Sequence, residues 1–113
     1  RQKEVWMARR GKLIMDFVAG EAEEIFGLRE GELLSGASPE YKEARMCCYT
    51  VLKNYTEYSF TQVGAYFGKD KQHTAYYVYK LRDLLTIPEY YREMVARYVE
   101  LEARLVDFLG NLK

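Results

Sequence analysis

The chain is expected to fold as an all-α, compact helical domain of about five to six helices, with a helix-turn-helix and a long C-terminal helix. Three observations predict this. Apolar residues recur at steps of three and four along most of the 113 residues. No strand-like alternation, internal repeat or low-complexity tract interrupts them. Helix-start signals fall where the periodicity restarts, at Ser38-Pro39, at Ser59 with Gln62, and at Thr86 with Glu89. With 49% apolar and 30% charged residues, residues 1–113 suit one ordinary globular domain, large enough to bury a core.

Val5, Trp6, Met7, Leu13, Ile14, Phe17, Val18, Ala22, Ile25 and Phe26 fit a long first helix closed by Gly27. Gly11 and Gly20 weaken it, each by about 1 kcal/mol against Ala. Arg29–Leu34 suits one or two helical turns before the loop Ser35-Gly36-Ala37. Ser38 as N-cap and Pro39 at the first helical position open the next helix. Its apolar positions are Ala44, Cys47, Cys48, Val51, Leu52 and Tyr55.

Residues 59–85 read as two short helices joined by a tight turn. Ser59 and Gln62 form a capping box, flanked by Tyr58 and Val63 as a hydrophobic staple. Phe60, Val63 and Phe67 give the first of the two helices a buried stripe, and Gly68 ends it. Asp70 caps the second by accepting the N–H of Gln72 or His73. Ala75, Val78, Leu81 and Leu85 form that helix's inner face, leaving Lys71, Gln72, His73, Tyr76 and Lys80 outward. A helix-turn-helix has this layout, its second helix entering the major groove N-terminus first. An αα-hairpin within a bundle fits the same spacing.

Thr86 and Glu89 mark the last helix, over 86–113. Tyr91, Met94, Tyr98, Leu101, Leu105, Phe108 and Leu112 trace a heptad seam, with Val95, Val99, Val106 and Leu109 as a second stripe beside it. One stripe can cover the core while the other meets a second copy in a homodimer; alternatively both wrap the monomer core.

Catalytic chemistry finds little to work with. His73 is the one histidine, and no metal-ligand spacing or P-loop is present. No metal, cofactor or catalytic residue is expected, and the chain does not read as an enzyme. Glu21, Glu23 and Glu24, like Arg9, Arg10 and Lys12, suit solvated helix faces. No apolar run approaches the roughly 18 residues of a membrane span, and no signal-peptide pattern is visible. Adjacent Cys47 and Cys48 suit buried thiols in a reducing cytoplasm. The numbering opens on Arg1, as expected of a segment of a longer protein. Net charge is zero, which disfavours an indiscriminate polyanion binder. Residues 38–85 carry seven basic and five acidic groups, and each flank is −1.

From about residue 13 to 85 the chain resembles the C-terminal DNA-binding domain of the bacterial replication initiator DnaA, a Trp-repressor-like helical domain. The likeness rests on Ala22–Leu28 (AEEIFGL) followed by Glu32–Ser35 (ELLS), on Ser59, Phe60, Val63, Gly64 and Phe67, and on Gly68-Lys69-Asp70 with Lys80-Leu81. The family's base-reading H-T-T falls on Lys71, Gln72 and His73, none identical, and Thr74 stands where the family has an apolar residue. Lysine can bond guanine O6/N7 and glutamine adenine N6/N7. Arg45 falls on an arginine at the start of the family's third helix, which implies a phosphate contact. The arginine-rich loop that enters the minor groove is replaced by residues 35–43, SGASPEYKE, so minor-groove reading does not carry over.

The expected function is therefore sequence-preferring binding of double-stranded DNA, in replication initiation or transcriptional regulation. Lys71, Gln72, His73 and Tyr76 would face base edges, with Lys69, Arg45, Lys80 and Thr74 on phosphates. The alternative is a protein-interaction module of the same fold that has lost DNA, using Tyr76, Tyr77 and Tyr79 as its surface.

Overall fold

The computed structural model describes the backbone of residues 2–112 and the side chains of residues 10–112. The expected contributions of Val5, Trp6, Met7 and Arg9 lie outside the described side chains. The fold is all-helical, with α1 at Gln2–Phe26, α2 at Pro39–Tyr55, α3 at Phe60–Tyr66, α4 at Lys71–Leu84 and α5 at Arg92–Asn111. A 3-10 turn, Pro88–Tyr90, precedes α5.

α2 is the hub, packing against the other four helices. Its residues Ala44 to Leu52 are all buried, the pattern of a helix enclosed on every side. Small side chains at Ala44, Cys47, Cys48 and Thr50 alternate there with the bulkier Arg45, Met46 and Tyr49. Cys47 and Cys48 are free and buried, and burial pushes the Cys47 thiol up to about 12. Thr50 Oγ1 donates to Met46 O at 2.9 Å, so this buried hydroxyl needs no partner outside the helix.

α1 runs unbroken through Gly11 and Gly20 and stops at Gly27, whose φ of 68° lies in the left-handed region. It buries Ile14, Met15, Val18, Ala19, Ala22 and Phe26, while Leu13 is exposed, contrary to its expected place on the apolar face. Glu23 is not on a solvated face. It is buried, and its Oε2 accepts the Leu33 N–H at 3.1 Å. Glu21 and Glu24 pair with Arg104 of α5 at 3.3 and 3.1 Å.

Arg29–Leu34 forms successive turns rather than a helix, with Glu32 O accepting from Ser35 and Gly36 N–H groups. Side chains hold those turns in place: Glu23 binds Leu33 and Arg45 binds two carbonyls. Ser38 occupies the N-cap of α2 and Pro39 its first position, without a side-chain capping bond.

The start of the last helix also departs from expectation. Thr86 does not pair with Glu89; its Oγ1 donates back to Asp83 O at 2.6 Å, finishing α4. The 3-10 turn then spends residues 88–90, and α5 begins at Arg92. Met94, Tyr98, Leu101 and Leu105 are buried against α1 and α2, so the middle of the expected heptad seam closes the chain's own core, while Phe108 and Leu112 are half-buried and Tyr91 is exposed. Outside it Val99 and Val106 are half exposed. Among the described residues, no helix is long and apolar enough to cross a membrane.

Candidate nucleic-acid interface

Local hydrogen bonds fix α3, its turn and α4. Ser59 Oγ accepts the Gln62 N–H at 3.1 Å while Gln62 Oε1 accepts the Ser59 N–H at 2.8 Å, a complete capping box. Gly68, at φ 70°, reverses the chain. Asp70 Oδ1 accepts the His73 N–H at 2.8 Å and starts α4.

The two helices come closest at Gly64. A Cβ on Gly64 would lie 2.5 Å from Thr74 Oγ1 and 2.6 Å from Lys69 O, so only glycine fits. Thr74 is fully buried there, and its Oγ1 donates to Asp70 O at 2.9 Å. The inner face of α4 is accordingly Thr74, Val78 and Leu81, with Ala75 and Leu85 only half-buried. This corrects the expectation for Thr74: enclosed against Gly64, it is not available to a phosphate.

Lys71, Gln72, Tyr76 and Lys80 are exposed, the last three along one stripe of α4 and Lys71 beside it in the first turn, with Tyr76 at 61%. Lys80 Nζ lies 6.0 Å from the Tyr76 ring centre and 5.6 Å from that of Tyr77, which keeps the ammonium over the aromatic pair. Tyr79, 54% exposed, meets Phe60 edge-on and carries Arg82 5.8 Å from its ring centre.

His73 turns away from that stripe. Its ring lies 4.8 Å from Tyr77 and 6.0 Å from Tyr49 of α2, half-buried between them. Burial, and then the Lys69 ammonium, hold its pKa below the ordinary histidine value. It therefore belongs to the seam between α2 and α4 more than to the outer face.

Arg45 requires the other correction. It is 6% exposed, and its Nη1 donates to Leu33 O and Gly36 O, both at 2.7 Å. The guanidinium ties the turns before α2 to the helix, so it is not a free phosphate contact on the surface. Lys69 is half-buried in the turn.

Lys42, Arg45 and Tyr49 of α2, Lys69 of the turn, and His73 and Tyr77 of α4 together line a cleft of about 80 Å³. Sequence reasoning passed over Lys42 and Tyr49. Their spacing with Arg45, three and then four residues, places all three on one helix face and was the available signal. Among the described residues, no group of three or more His, Cys, Asp or Glu is placed to hold a metal. Comparison of the chain with protein-family models and with curated proteins gives no match, so its reading rests on this geometry.

Proposed function

We propose that the chain binds double-stranded DNA with sequence preference, laying the outer face of α4 in the major groove, N-terminus first. The supporting observation is the exposure of Lys71, Gln72, Tyr76 and Lys80 on a helix whose start is pinned by Asp70. Gln72 offers bidentate bonds to adenine, Lys71 reaches guanine, and Tyr76 supplies an apolar face beside them. Lys69 and Lys80 serve phosphates on either side. The likeness to the DnaA C-terminal domain supports the same placement, and with it a cytoplasmic role in replication initiation or transcriptional regulation.

Selection from a randomised duplex pool, followed by polarisation assays at two salt concentrations, tests this. Gln72→Ala is expected to cost about 1–3 kcal/mol on the selected site and to relax preference there. Equal weakening on selected and random duplexes would remove Gln72 as a base reader.

A protein-interaction module is the second reading, favoured by Tyr76 and Tyr79 standing exposed on a chain of zero net charge. Its binding would respond little to salt. A homodimer through the last helix would have to use its exposed positions Tyr91, Val99 and Val106, because Met94, Tyr98, Leu101 and Leu105 are enclosed.

A further inference from the structure

The seam between α2 and α4 carries an unexplained group. Tyr49 is 1% exposed, and among the described residues its Oη has no hydrogen-bond partner. A buried hydroxyl without a partner costs about 1–3 kcal/mol, so such groups call for an explanation. Arg45 is close enough to act on the Tyr49 hydroxyl by its charge and by a weak side-chain contact, one that falls short of full hydrogen-bonding geometry. Burial raises the hydroxyl's pKa to about 12, which keeps it a neutral O–H, able to donate.

The surroundings of this hydroxyl define what it would donate to. Lys42, Arg45 and Lys69 bring three fixed positive charges to a cleft of about 80 Å³, and His73 adds a titratable nitrogen. No carboxylate lines the cleft. Asp70, beside it, is engaged with the His73 N–H. The volume is far below the roughly 300–1,000 Å³ of pockets for drug-sized ligands, which suits one compact group rather than a nucleoside. Two of the cations come from α2 at i and i+3, and Lys69 arrives from the turn, so they converge from different elements. The geometry points to a seat for a single phosphate group, held by Lys42 and Lys69 with Tyr49 Oη as a buried donor, the charge of the carbonyl-bound Arg45 standing behind them. It stands apart from the outer face of α4, sharing only Lys69 with the duplex reading. The phosphate can come from a DNA backbone or from free phosphate and phosphomonoesters, since the cleft sees the same oxyanion in either.

The His73 ring gives a direct probe by NMR. The charged groups around it are Lys69, Asp70 and Arg45, with Lys42 across the cleft. A phosphate dianion entering the cleft favours the imidazolium and raises the His73 pKa. Inorganic phosphate is titrated into the full chain at fixed ionic strength, with chloride as the control, and a short duplex forms a parallel arm. Tyr49→Phe removes only the hydroxyl. Because that group has no partner, the variant should fold at least as stably as the parent, while phosphate affinity falls about tenfold or more. Lys42→Met, at an exposed position, should lower it as well.

A saturable His73 shift with inorganic phosphate, lost in Tyr49→Phe, supports a seat for free oxyanions, whether or not duplex binds. A shift seen only with duplex, with Tyr49→Phe weakening all duplex sequences alike, supports a backbone-phosphate seat. Equal response to phosphate and chloride with no effect of Tyr49→Phe in either arm overturns the proposal. So does loss of stability in Tyr49→Phe without loss of phosphate binding. Duplex binding that survives both variants, with no saturable His73 shift from inorganic phosphate, would overturn the seat and leave the duplex reading standing.

Discussion

Gly64 and Thr74 set how closely α3 and α4 approach, and one atom decides the geometry. A methyl at Gly64 would sit 2.5 Å from the Thr74 hydroxyl and 2.6 Å from the Lys69 carbonyl. The threonine could rotate, but the carbonyl belongs to the turn backbone and cannot. Gly64→Ala is therefore expected to destabilise the domain by about 1–3 kcal/mol, read as a lower denaturation midpoint with unchanged slope. Neither the burial of Thr74 nor the glycine requirement is legible along the chain, because both arise from contact across two helices. Arg45 illustrates the same limit. Its identity suggests a phosphate ligand, yet two backbone carbonyls from the preceding turns take its Nη1. Gln72 and Tyr76 were legible as outward residues because their apolar neighbours define the inner face of their own helix.

Signals that act within one turn of helix were readable in advance at the level of the element. The Ser59 capping box and the Asp70 cap need only residues three apart, so the sequence contains the whole interaction. Ser59→Ala is expected to cost about 1 kcal/mol, measured by thermal or denaturant unfolding. Loss of the hydroxyl leaves the Gln62 N–H without its protein acceptor, while the helix itself remains. Thr86 with Glu89 has the same lettering and behaves differently. Thr86 lies close behind Asp83, whose carbonyl takes its hydroxyl and closes α4 instead. α2 was legible as a helix but not as the hub. Arg45, Tyr49 and Thr50 read as polar positions, and only the packing of four neighbours encloses them.

For the whole molecule, α5 spends its most regular feature on the interior. Met94, Tyr98, Leu101 and Leu105 face α1 and α2, and Arg104 bridges back to Glu21 and Glu24 of α1. Asn54 of α2 links two further helices, α4 and α5, accepting from Arg82 at 2.8 Å and donating to Tyr98 Oη at 3.0 Å. The heptad spacing was visible in the sequence, but spacing alone does not say whether the partner is intramolecular. With Met94, Tyr98, Leu101 and Leu105 enclosed, sedimentation at high micromolar concentration is expected to give a monomer; a concentration-dependent dimer would contradict this. Zero net charge, with Lys69, Lys71 and Lys80 near the proposed interface, sets the electrostatics of DNA binding. The two proposed phosphate contacts, Lys69 and Lys80, imply a log–log salt slope of about −2, a shallow dependence for a protein that binds duplex DNA.

The central claim, that the outer face of α4 meets duplex DNA, is tested most directly by amide chemical-shift mapping of the labelled chain with a selected duplex. The expected result is a set of shifts at Lys71, Gln72, Tyr76 and Lys80 that fades when salt is raised, with α5 unmoved. Shifts absent from α4, or gathered on α5 while the first turn of α4 stays unchanged, would contradict it.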